Sequence, residues 1–123
     1  MELKSEIQCI LDEALLPLGI HTHWLERGDD EGLEYVVFRR VSSQNIQFAG
    51  DCVLMRRYYF DIRYFAEDEA YNEDHVNLIK DVMHQAGYRL PMGEIPIPGL
   101  PAGKQGVNME FATERVVSTE RVV

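Results

Sequence analysis

Four histidines and two cysteines are the residues of this chain best equipped for chemistry. His21 and His23, two apart, would point the same way from a strand, as two ligands of one metal ion do. A zinc site needs one or two more ligands, and no other His or Cys stands near them in sequence. His75 and His84 lie nine residues apart, about 900° around a helix, so they face opposite sides and cannot chelate together. His75 falls on an apolar helical stripe, the place of a hydrogen-bonded core or boundary histidine. A Cys nucleophile needs a His base and an activating environment. Cys52 with His75, or Cys9 with His84, are the pairs on offer, and nothing in local sequence supports either. The expectation is a protein without catalytic residues, cofactor or bound metal.

The charged residues read similarly. The acidic run from Glu67 to Asp74 lacks the glycine and the spacing of a calcium loop. It suits the positive end of a helix dipole instead. Gly93, Gly99, Gly103 and Gly106 are scattered among prolines and match no phosphate-binding motif. Arg39-Arg40 and Arg56-Arg57, with Tyr58-Tyr59, would suit a basic aromatic platform for nucleic acid. Arg39 and Arg57 each alternate with an apolar or acidic partner, however, which reads as a solvated or interfacial sheet face. The net charge of −9, from 21 acidic against 12 basic residues, argues against direct binding of nucleic acid or an anionic membrane.

The elements that must carry these residues follow from periodicity. Leu3, Ile7, Ile10, Leu11, Ala14, Leu15 and Leu18 form one helical stripe, closed by Pro17 and a left-handed cap at Gly19. His21 to Arg27 reads as a short strand, and the polar turn Gly28 to Gly32 should close a hairpin onto a second strand, Leu33 to Val41. Ser42 to Gly50 reads as a polar connection. Asp51 to Phe65 is the central strand, rich in Val, Ile, Tyr and Phe. Tyr71, His75, Leu78, Ile79, Val82, Met83 and Ala86 form a second helical stripe that stops at Gly87. Tyr88 to Gly103 holds four of the five prolines and cannot form helix or central strand. A last strand runs from about Lys104 to Val116.

The expected fold is α+β, with two helices on one face of a four-stranded, mainly antiparallel sheet, in the order α-β-β-β-α-β. Residues 1–117 form a single domain, 88–103 a Pro/Gly-rich loop, and 118–123 a fraying tail. At 123 residues the core needs no disulfide, and both cysteines read as buried free thiols. No signal peptide is legible and no apolar run approaches the ~20 residues of a membrane span. A soluble protein made in a cytoplasm is expected.

Period two places Leu54, Tyr58, Phe60, Ile62 and Tyr64 on the face toward the helices. Val53, Met55, Arg57, Tyr59, Asp61, Arg63 and Phe65 point the other way. Candidate interface residues are therefore Val53, Met55, Arg57 and Tyr59. Ile95, Ile97 and Leu100 join them, because the proline-held segment around Ile95-Pro96-Ile97-Pro98 loses little entropy on docking to a neighbour. That loop is expected to be mobile in an isolated subunit and ordered in an assembly.

Four short stretches carry a family likeness: Leu16-Pro17-Leu18-Gly19-Ile20 running on to His23-Trp24-Leu25; Glu34-Tyr35-Val36-Val37-Phe38-Arg39; Tyr58-Tyr59-Phe60-Asp61-Ile62; and Val82-Met83-His84-Gln85-Ala86-Gly87-Tyr88. Together they resemble the tail-completion, tail-to-head joining or tail-terminator proteins of long-tailed bacteriophages. The likeness runs to about Arg89; the proline loop and the last strand depart from it. It implies a ring, typically of six subunits, that caps the tail tube where it meets the head. Other copies, tail-tube proteins and head-completion proteins are the implied partners. The implied location is the virion tail, after assembly in the bacterial cytoplasm, and no catalytic residue carries over. A stand-alone α+β module binding a peptide or small ligand is the alternative.

Overall fold

The structure is a computed structural model that describes residues 3–28, 32–50 and 52–116, without the side chains of Ala49, Cys52 and Val53. Helix α1 spans Leu3–Leu15 and passes into a 3-10 turn at Leu16–Leu18. Strands follow at β1 His21–Trp24, β2 Glu34–Ala49 and β3 Cys52–Glu67, then helix α2 Glu73–Gln85, β4 Glu94–Pro96 and β5 Lys104–Val116. The class is α+β, as the periodicities require. The sheet has five strands in the order β1-β2-β3-β5-β4, where four were expected.

Punctuation residues set the helix ends. Pro17 forces the tighter turn after Leu15, and Gly19 closes it at φ 77°, its N–H bonded to the Leu16 carbonyl. Asn72 caps α2 by accepting from the Asp74 N–H at 2.9 Å, with Glu73 and Asp74 in the first turn. Gly87, at φ 92°, lets the chain leave the helix.

Three expectations about the strands are corrected. First, β1 runs parallel to β2, with His21 opposite Tyr35 and Trp24 opposite Phe38. The turn from Gly28 to Gly32, most of which lies outside the described residues, therefore closes no hairpin. Leu25 adopts a left-handed φ of 73° and carries the chain out of the sheet straight after Trp24. The return to Glu34 is short because β1 has four residues, about 13 Å at strand rise.

Second, Ser42 to Ala49 is no connection but the outer half of β2. It pairs with β3 from Ser42–Tyr59 to Ala49–Cys52, with register shifts between Arg40 and Ser42 and on either side of Gln47. A polar run can hold strand geometry when both its faces meet water, and bulges of this kind absorb its irregular alternation. Third, the proline segment contributes β4, which pairs with β5 from Glu94–Met109 to Pro96–Val107. Proline is tolerated there because β4 is an edge strand.

Both helices cover one face of the sheet. Ile7, Leu11 and Leu15 from α1 and Val76, Ile79 and Met83 from α2 are buried against Val36, Phe38, Phe60, Ile62, Tyr64, Val107, Met109 and Phe111. Val76, which the expected stripe omits, lies within it, whereas Leu18 is exposed. Burying such side chains stabilises by about 1.5–3 kcal/mol each, as an upper bound.

Candidate functional site

The face of the sheet away from the helices holds the sequence-derived candidates. Cross-strand register sets its rows over β2, β3 and β5: Val37–Arg63–Asn108, Arg39–Asp61–Glu110, Ser42–Tyr59–Ala112 and Gln44–Arg57–Glu114. Met55 follows, opposite Gln47 and Val116. Met55, Arg57 and Tyr59 stand together on this face, each half-buried. Val53, whose side chain lies outside the described residues, belongs to the same strand.

A charged belt crosses the middle of the face. Asp61 is 5% exposed although no helix covers it; long neighbouring side chains close over it instead. Arg39 Nη2 donates to its Oδ2 at 3.4 Å and Asn108 Nδ2 to its Oδ1 at 3.4 Å, with the Arg63 guanidinium 3.9 Å away. Paired and hydrogen-bonded, a carboxylate is tolerated at the centre of a strand. Below it, Arg89 donates to Glu114 at 2.6 Å and Arg57 to the same oxygen at 3.3 Å. These bonds, that of Arg89 first, hold the Glu114 carboxyl below its ordinary range against the opposing effect of burial. The Arg57 guanidinium is raised above its usual value, first by its hydrogen bond with Tyr59.

The loop candidates do not join that patch. Ile95 pairs opposite Asn108 on β4 and is 52% exposed. Ile97 and Leu100 turn back onto the sheet of the same chain, at its other end. A Cβ placed on Gly106 would meet Phe65 at 3.0 Å and Ile97 and Leu100 at 3.2 Å each. Phe65 in turn stacks on Tyr35, with ring centroids 5.1 Å apart and planes 20° apart, and Arg27 lies over the Tyr35 ring. The loop is thus seated on the sheet, and its N–H at Ile97 bonds the Gly106 carbonyl at 2.9 Å.

The histidines and cysteines are dispersed. His21 is exposed and His23 half-buried on β1. His75 is half-buried and bonded to Glu34, as a boundary histidine should be, while His84 is exposed. Cys9 is exposed on the outer side of α1, contrary to the expected buried thiol, because its position falls off the stripe Ile7–Leu11–Leu15. Among the described residues no three His, Cys, Asp or Glu side chains are grouped to hold a metal ion. No helix among them is long and apolar enough to cross a membrane.

Sequence reasoning missed a cleft on the helix side. Where the N-terminal end of α1 stops short of the long β2–β3 ribbon, Leu3, Lys4, Trp24, Arg40, Tyr58, Phe60 and Arg115 enclose about 700 Å³. Lys4 Nζ sits 4.9 Å from the Trp24 ring centre. Arg115 grips the Glu6 carboxylate with both terminal nitrogens, at 2.6 and 3.3 Å, and Tyr88 donates to the same carboxylate at 3.0 Å. These residues come from α1, β1, β2, β3 and β5, so no local spacing announces them. The buried Asp61 had a signal: a carboxylate between Phe60 and Ile62 needs partners.

No protein-family model matches the chain, and no curated protein matches it. Several solved chains are similar in structure; one of them superimposes with a TM-score of 0.53 at 7% identity, over 98% of this chain and 100% of that one. At that identity the likeness shows the fold alone.

Proposed function

We propose that this chain is a structural subunit of a long-tailed bacteriophage or prophage, a tail-completion or tail-terminator protein at the head–tail junction. It acts by assembling into a ring, of six copies by the family resemblance, and not by catalysis. Its partners are other copies of itself, the tail-tube protein and the head-completion protein. Its place is the virion tail, after assembly in the bacterial cytoplasm.

The observation that carries this reading is the open sheet face. Met55, Arg57 and Tyr59 stand half-exposed beside the belt around Asp61, while the helices cover the other face. Apolar and aromatic groups beside arginines suit a protein–protein contact. The likeness in sequence at Tyr58 to Ile62 and at Val82 to Tyr88 supports the same reading. Sedimentation at rising protein concentration, alone and with unterminated tail tubes, tests it. The expected result is a closed oligomer that co-sediments with tubes; a monomer that never joins them would overturn it.

A second reading, a stand-alone module binding a peptide or small ligand, is favoured by the cleft between α1 and the sheet. Its volume of about 700 Å³ falls in the range of small-ligand sites.

A further inference from the structure

The cleft lies over the middle of β2 and β3, and the acidic turn lies beyond the end of β3. Tyr58 and Phe60 line the cleft, whereas β3 ends at Glu67, seven to nine residues on, roughly 23–30 Å along the strand. At the cleft, Lys4 and Arg40 are exposed, and Arg40 has no ion pair among the described residues. Among the described residues no carboxylate lines the cleft; the nearby Glu6 is already taken by Arg115 and Tyr88. Past the end of β3 the chain turns tightly, the N–H groups of Ala70 and Tyr71 both bonding the Glu67 carbonyl. That turn holds Asp68 and Glu69 exposed to solvent.

We propose that the acidic turn of a second copy, Glu67 to Ala70, docks into this cleft, with Asp68 and Glu69 facing Lys4 and Arg40. Charge complementarity selects the occupant: in a chain of net charge −9, this cleft presents cations to an incoming group. The aromatic floor of Trp24, Tyr58 and Phe60 excludes water beside the ion pairs, which strengthens them. Because the two surfaces differ and lie apart on the chain, the contact is heterologous. It propagates head to tail and closes into a ring where the rotation allows. The inference rests on the ring reading only in requiring a second copy, and it names the surfaces that meet.

A charge swap tests it. Lys4→Glu with Arg40→Glu reverses the cleft, and Asp68→Lys with Glu69→Lys reverses the turn. All four positions are exposed, so circular dichroism should show each variant folded. In sedimentation velocity each reversed protein should self-associate about tenfold more weakly than wild type, or less. An equimolar mixture of the two should recover wild-type association, since each cleft then finds a turn of opposite sign. Folded variants that associate like wild type, or a mixture that recovers nothing, would overturn the assignment. So would a wild type that stays monomeric while a fluorescent polyglutamate peptide binds it and not the variant with Lys4→Glu and Arg40→Glu, which would give the cleft to another protein's acidic segment. Tail joining separates the two proposals. Association that follows the swap without any tail joining leaves this contact standing and removes the tail role. Tail joining by rings that ignore the swap does the reverse.

Discussion

His75 Nδ1 donates to Oε1 of Glu34 at 2.6 Å across 41 positions of sequence, fastening the first turn of α2 to the start of β2. The same Glu34 oxygen accepts from the Tyr64 hydroxyl, which in turn receives the Asn72 N–H at 3.3 Å. One carboxylate thus organises the junction of β2, β3 and α2, at one end of the sheet.

Replacing His75 by Ala should therefore cost about 1–2 kcal/mol, the worth of a charge-assisted hydrogen bond plus some lost packing. Urea denaturation should show a lower midpoint with an unchanged slope. Glu34→Gln should cost a similar amount, and combining the two should cost less than their sum, because both remove one interaction.

Stability should fall in alkali. Burial, then the hydrogen bond with Glu34, pushes the Tyr64 hydroxyl up. Burial, then Glu6, does the same to Tyr88 against the opposing pull of Arg115, and Tyr71 is pushed up to about 12 by burial and Glu73. The folded protein thus holds protons that the unfolded chain releases near pH ~10. Their contribution is whole below that value and is lost as pH rises through the folded values. Urea midpoints measured from about pH 9 to about pH 12 should decline, and Tyr88→Phe should flatten the decline.

Gly106→Val should release the proline segment. Its new side chain would press into Phe65, Ile97 and Leu100, already 3.0–3.2 Å from a bare Cβ. A cost of about 1–3 kcal/mol follows from overpacking. Limited proteolysis should cut between Ile97 and Gly103 sooner than in the wild type, while far-ultraviolet circular dichroism stays the same.

Met55→Asp together with Tyr59→Ser should leave the monomer folded, because neither side chain contributes to the buried core under the helices. If the open face is the ring contact, analytical ultracentrifugation should show association lost and the thermal midpoint moved by only a few degrees. Association at wild-type strength would remove this face from the assembly.

The linear sequence by itself determined the helices, their caps and the facing of β3. These depend on neighbours within one or two turns: the stripe Ile7–Leu11–Leu15, the breaks at Pro17 and Gly19, and the alternation of Phe60, Ile62 and Tyr64 with Tyr59, Asp61 and Arg63. Tertiary structure alone decided the rest. Whether β1 lies parallel or antiparallel to β2 hangs on where the chain goes after Leu25, which its composition does not encode. Ser42 to Ala49 becomes strand because β3 lies beside it, and Glu94 to Pro96 because β5 offers a free edge. The burial of Asp61 and the enclosure of the cleft arise from side chains on three to five separate elements. Such sites are set by register and by where α1 ends, and those are long-range quantities that local spacing cannot carry.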